Sequence, residues 1–194
     1  MSFSSLLKKI WHFLWYEDSL LSWFVNLILA FVLVKFVIYP GIGFLFGTAY
    51  PIVAVVSGSM EHHGQPPDGW WEQTTWYEDH GITRSQFTQF PFKNGFNKGD
   101  IMVLQGVKPE AIKIGDVLVY ESSRHVNPII HRVVAITEDN DEYSFQTKGD
   151  NNPASDRDIV SEDQIRRTGK AILRLPFLGW IKIGFVQLLG GLFS

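Results

Sequence analysis

Five short runs between Asp100 and Pro176 decide how this chain folds: DIMVLQ (100–105), DVLVYES (116–122), IIHRVVAIT (129–137), EYSFQTKG (142–149) and GKAILRLP (169–176). Each is rich in β-branched or aromatic residues, and Gly, Pro, Asp and Asn turns separate them, so the pattern predicts a mainly β, antiparallel domain. Alternation within IIHRVVAIT puts Ile129, His131 and Val133 on one face and Ile130, Arg132 and Val134 on the other, leaving His131 among apolar neighbours. Upstream, IVAVV (52–56) reads as a further strand that delivers Ser57-Gly58-Ser59-Met60.

Outward from this block the character changes. Leu20 to Tyr39, LLSWFVNLILAFVLVKFVIY, is about the 20 apolar residues that cross a bilayer as a helix, and PGIGFLFGTAYP (40–51) is expected to end it. Asn26 and Lys35 are its polar interruptions. The run is too long for a cleaved leader and no small-residue cleavage site precedes Pro40, so it reads as an uncleaved anchor. Residues 1–19 place Lys8 and Lys9 among Trp, Phe and Leu, the pattern of an amphipathic interfacial segment. After the anchor no Lys or Arg appears until Arg84, so the positive-inside rule puts the N-terminus in the cytoplasm and residues 40–176 outside, in a single-pass cell-membrane topology.

Two stretches fit neither pattern. Residues 61–97 hold Trp70, Trp71, Trp76, Tyr77, Phe87, Phe90, Phe92 and Phe96 without a helical or alternating period and read as an insertion. Trp70, Trp71 and Trp76 either pack within that loop or dip into the membrane interface, two readings of equal standing, and His62, His63 and His80 are expected at the surface, with no spacing for a metal. Residues 177–194 are apolar but interrupted by Lys182, which suggests a short C-terminal interfacial helix rather than a second crossing.

Composition removes several classes of function. Seventeen basic against twenty acidic residues, with no block of either sign, is not the footprint of a nucleic-acid binder. Cysteine is absent, which excludes disulfides, thiolate zinc sites and a cysteine nucleophile. Ser59, at a turn beside a flexible glycine where a rigid strand ends, suits a nucleophile, and His131 is a candidate base for it. Thr147-Lys148-Gly149-Asp150-Asn151-Asn152, with Asp156 and Asp158 following, offers a carboxylate to orient the histidine. Taken singly, each of these reads more simply as structure: a turn serine, a core histidine, an Asx turn at Asp150.

The ordered set is more specific than its members. SGSM at a strand end, HRV in a β-run, then TKGDNN with an aspartate six positions beyond Asp150 resembles the signal peptidase I family of the archaeal and endoplasmic-reticulum type, from about Tyr50 to Pro176 outside the insertion. The resemblance implies a signal-peptidase-like β domain and a serine endopeptidase with Ser59 as nucleophile and His131 as general base. It further implies Asp156 as the carboxylate behind the histidine, with Asp150 supporting it or taking its place. A lysine holds the histidine's place in the bacterial branch, so His131 favours Ser-His-Asp over Ser-Lys chemistry. The chain departs from the family in following SGSM with Glu61-His62-His63, in the long link to Lys98-Gly99-Asp100, and in Ser155 before Asp156.

On this reading the oxyanion accepts hydrogen bonds from the Ser59 N–H and the Ser57 hydroxyl. No cofactor is implied. The expected partners are signal peptides of secretory and membrane preproteins, cut after small residues, with the lipid bilayer and the protein-export channel. The competing readings are a narrow-specificity processing peptidase and a non-catalytic membrane-tethered β domain that binds exported chains.

Overall fold

A computed structural model describes residues 3–122, 124–125, 127–140, 142–165, 167–181 and 183–184, in two compact units divided after Leu45. In the first, helix α1 (Phe3–Tyr16) is followed by α2 (Leu20–Leu33), a π-helical turn (Val34–Ile38) and α3 (Tyr39–Phe46). The last three form one apolar helix from Leu20 to Phe46, about 40 Å long and long enough to cross a membrane, whose most apolar stretch has mean hydropathy 2.3.

The helix thus runs past Pro40, where the sequence predicted its end. Proline lacks an N–H and its ring crowds the carbonyl four residues back; the π-turn just ahead of it, with the Tyr39 N–H donating to Val34 O, widens the helix and relieves that clash. Asn26 is no stray polar group either. Its amide donates to Leu14 O at 2.9 Å, and the Ser22 hydroxyl donates to Phe13 O at 2.7 Å, so α2 caps the carbonyl end of α1.

The second unit is an antiparallel seven-stranded sheet, in the order β1-β2-β7-β3-β4-β5-β6. Its strands are β1 (Ile52–Ala54), β2 (Ile101–Gln105), β3 (Val117–Tyr120), β4 (Ile129–Asp139), β5 (Glu142–Lys148), β6 (Val160–Ser161) and β7 (Gly169–Leu175). All four residues of central β3 are buried because the sheet is covered on both faces: Val117 and Val119 join Val55, Met60, Phe96, Met102 and Leu104, while Leu118 and Tyr120 join Val133, Phe145 and Val160. Strand β1 stops at Ala54, earlier than the IVAVV run suggested, so Ser59 stands in the turn beyond it.

The insertion is folded. It forms three short helices, α4 (Pro67–Trp71), α5 (Trp76–Asp79) and α6 (Arg84–Phe87), too brief to show a helical period. Trp70, Trp71, Tyr77, Ile82 and Phe87 bury against one another and Val134. With Trp70 and Trp71 only 5% and 6% exposed, neither can enter a lipid interface, and self-packing is the outcome for both. Of the C-terminal segment, Lys182 and 185–194 lie outside the described residues; before them, the Gly179 N–H donates to Gly99 O at 2.8 Å and Trp180 lies against Gly99.

Candidate active site

Three segments meet around one cleft of about 410 Å³, lined by Ser57, Ser59, His131, Asn152 and Asp156 with apolar Val56 and Ile129 at its sides. The Ser59 turn is held by its successor. Met60 is fully buried in the core, its carbonyl accepts from the Phe96 N–H at 3.0 Å, and its sulfur accepts from the Asp150 N–H at 3.3 Å. The Ser59 carbonyl accepts from the Asn151 N–H at 2.8 Å, tying this turn to the loop after β5.

The Ser59 hydroxyl pairs with the Ser57 hydroxyl at 3.1 Å rather than with His131. Among the described residues, no hydrogen bond occupies the Ser59 N–H. His131, 7% exposed on β4 opposite Leu118, pairs through Nδ1 with Asp156 Oδ2 at 2.6 Å. A carboxylate at Nδ1 selects the tautomer whose Nε2 is the free acceptor, and Nε2 has no hydrogen-bond partner among the described residues. A Cβ on Gly149 would lie 2.8 Å from both His131 Nε2 and Ser59 O. The histidine and the serine turn therefore close on a point that only glycine can occupy.

Asp156 Oδ2 also accepts from Thr147 Oγ1 at 2.7 Å and the Tyr120 hydroxyl at 3.1 Å. Burial favours the neutral acid, but the bonds from His131, Thr147 and Tyr120 outweigh it and hold the carboxyl below the usual range.

Asp150 lies elsewhere. It is fully buried and accepts from Arg132 Nε at 2.9 Å, Arg132 Nη2 at 2.8 Å, Tyr77 hydroxyl at 2.7 Å and His62 Nε2 at 2.9 Å. Burial opposes its charge, yet Arg132 first and His62 second hold it far below the ordinary range. The expectation that Asp150 might stand behind His131 is not met, because every one of these partners is on the far side of β4 or in the insertion. The remaining Arg132 donors bind Pro91 O, Phe92 O and Gly115 O, so this guanidinium fastens the insertion to the sheet.

His62, expected at the surface, is 2% exposed and stacks on Trp70 with ring centroids 3.7 Å apart. His63 and His80 are exposed, and among the described residues no cluster of His, Asp or Glu suits a metal ion. Lys148 is buried and donates to the carbonyls of Gly149, Asp150 and Asn152 at 2.9, 3.2 and 2.7 Å. Burial pulls its amine down to about 8. The bonds that Tyr120 and Thr147 make to Asp156, and Tyr77 and Arg132 to Asp150, have no motif in the sequence; an arginine in an apolar β-run is the available signal for the last, since a buried cation demands an anion.

A serine on a tight turn, an imidazole fixed by a carboxylate and a serine N–H without a hydrogen-bond partner among the described residues line one cleft on an antiparallel sheet, and these are the groups that acyl transfer through a serine requires. No family model matches the chain. It is 31% identical over 162 residues, 80% of the chain and 78% of the relative, to the signal peptidase complex catalytic subunit SEC11 of Scheffersomyces stipitis. It is 30% identical over 152 residues, 75% of the chain, to the signal peptidase complex catalytic subunit SEC11C of Homo sapiens and of Mus musculus. The match spans 62% of the length of those mammalian proteins. The chain belongs to the family of signal peptidase complex catalytic subunits.

Proposed function

We propose that this chain is a membrane-anchored serine endopeptidase that removes signal peptides from exported preproteins. The observation that carries the reading is the 2.6 Å bond from His131 Nδ1 to Asp156, with Nε2 unpartnered on the cleft that Ser59 also lines. Ser59 is the nucleophile and its hydroxyl must first turn from Ser57 toward His131 Nε2, which takes the proton as Oγ attacks the scissile carbonyl. Asp156 stabilises the imidazolium. The imidazolium then protonates the leaving amine, and a water deprotonated by the same nitrogen releases the acyl-enzyme. The vacant Ser59 N–H and the Ser57 hydroxyl receive the oxyanion.

The substrates are signal peptides cut after small residues. The helix Leu20–Phe46 is the single-pass anchor in the cell membrane, with the N-terminus cytoplasmic, and a signal peptide's apolar segment lies in the same bilayer. A short tether between Phe46 and Ser59 then raises the effective concentration of nucleophile at the cut site. The export channel is a further partner on this reading.

Purified protein in detergent, given several unrelated preproteins, tests this directly. Wild type should cleave them, Ser59→Ala should not, and Ser57→Ala should lose about 10²–10³ in rate. Cleavage by Ser59→Ala, or an inert wild type, would favour a non-catalytic domain; cleavage of one preprotein alone would favour a narrow processing peptidase.

A further inference from the structure

Asp156 has more attached to it than a triad requires. His131, Thr147 and Tyr120 converge on the single oxygen Oδ2 from three adjacent strands, β4, β5 and β3, and the Tyr120 and Thr147 hydroxyls are themselves 3.0 Å apart. Thr147 is fully buried and Tyr120 3% exposed. Two hydroxyl protons serve this triangle, and Thr147 has one short bond to the carboxylate. Burial pushes the Tyr120 phenol well above its ordinary value, so it stays a donor throughout the working pH range. Each donor withdraws charge from the oxygen that also binds the imidazole, and charge taken by Tyr120 and Thr147 is charge His131 does not receive.

We propose that Tyr120 and Thr147 are positioning residues that set how strongly Asp156 holds the imidazolium of His131, and thereby the pH at which the site becomes active. This rests on the Ser-His-Asp reading of the site. The other charged groups around Asp156 are Arg157 and Asp158 on its own loop, Arg124 paired with Asp158 at 3.2 Å, His125 across the cleft, and Lys148 with Asp150 at the end of β5. All remain when either hydroxyl is removed. Without a hydroxyl, more negative charge stays on Oδ2 and the imidazolium is held more strongly. A higher pH is then needed to free Nε2 as a base, so the acid limb of the rate profile moves upward.

The test is kcat/KM against pH for cleavage of a synthetic signal-sequence peptide by full-length protein in detergent, comparing wild type, Tyr120→Phe, Thr147→Val, Thr147→Ser and Ser59→Ala. Tyr120→Phe and Thr147→Val should move the acid limb up by about half a pH unit or more, with the plateau kept within about tenfold. Thr147→Ser, which keeps the hydroxyl and guards against a packing defect, should restore the wild-type limb. A plateau that falls in Tyr120→Phe and Thr147→Val while the limb stays in place would reduce both hydroxyls to packing and overturn the proposal. Residual cleavage by Ser59→Ala would instead overturn the triad reading itself, a separate result.

Discussion

Two histidine–aspartate pairs lie within the described residues of this sheet domain, and their surroundings differ sharply. His131 meets Asp156 at 2.6 Å beside the cleft, and its second nitrogen is left open toward the serine turn. His62 meets Asp150 at 2.9 Å in the interior, stacked under Trp70, with its Nδ1 buried and without a hydrogen-bond partner among the described residues. The neighbours explain the difference. Asp156 accepts from two neutral hydroxyls, which moderate its charge without cancelling it, whereas Asp150 is already neutralised by an arginine that donates to both its oxygens. A histidine on an aspartate is therefore not a catalytic signature by itself; the pair beside the cleft is set apart by a second nitrogen that faces a cavity and has no hydrogen-bond partner among the described residues.

Replacement of the two aspartates should separate the pairs most sharply. Asp156→Asn should lower kcat by about 10³–10⁴, because an amide stabilises the wrong tautomer and gives no charge to the imidazolium, while the thermal midpoint moves little. Asp150→Ala should act on folding, costing about 3–5 kcal/mol by leaving Arg132 buried without an anion, as read by chemical denaturation. Its pH signature follows from the depressed carboxyl: the contribution is complete above the unfolded value of about 3.9 and fades as pH falls toward the folded value. Stability of Asp150→Ala should thus vary less than wild type below about pH 4. If Asp150→Ala folds normally and loses only turnover, the division between the two pairs collapses.

The strands carrying these groups were legible because β-branched runs and turn residues report local geometry directly. All five runs from Asp100 to Pro176 became strands, and Ser59, His131 and Asp156 line one cleft. Asp150 illustrates what was not legible. Both aspartates are flanked by turn residues, and nothing local says which faces β4's outer side; that is fixed by Arg132, whose anion requirement is a tertiary fact. The insertion was opaque for a related reason. Its helices are four or five residues long, and its aromatic residues satisfy one another from all directions, so no period survives. The helix end is not legible at Pro40 because the π-turn that accommodates the proline leaves no mark in the sequence.

A gentler probe of the interior pair is His62→Phe, which keeps an aromatic ring against Trp70 and removes one donor from Asp150. Loss of one hydrogen bond to a charged group should cost about 1.5–3 kcal/mol, partly offset because the unpaired Nδ1 disappears with it. Turnover at the plateau and the acid limb should be unchanged, since Arg132 still neutralises Asp150. A shifted limb in His62→Phe would mean that the two pairs communicate electrostatically, and the contrast would need redrawing as a single network.

The smallest expected effect lies between the pairs, at Lys148. Its amine is pulled down to about 8 by burial, against the opposing pull of Asp150 and Asp156, and it binds three carbonyls of the loop joining the two aspartates. An unfolded lysine titrates near 10.4, so between about pH 8 and 10 the unfolded chain holds a proton that the native chain has released. In that window stability due to this group rises with pH, because the cost of a buried charge is relieved. Lys148→Met has no such proton, so denaturation midpoints of wild type should gain on the variant from pH 7.5 to 10, by roughly 1 kcal/mol or less. Parallel midpoints across that range would show that the ammonium is not disfavoured where it sits, and that the two carboxylates together offset its burial.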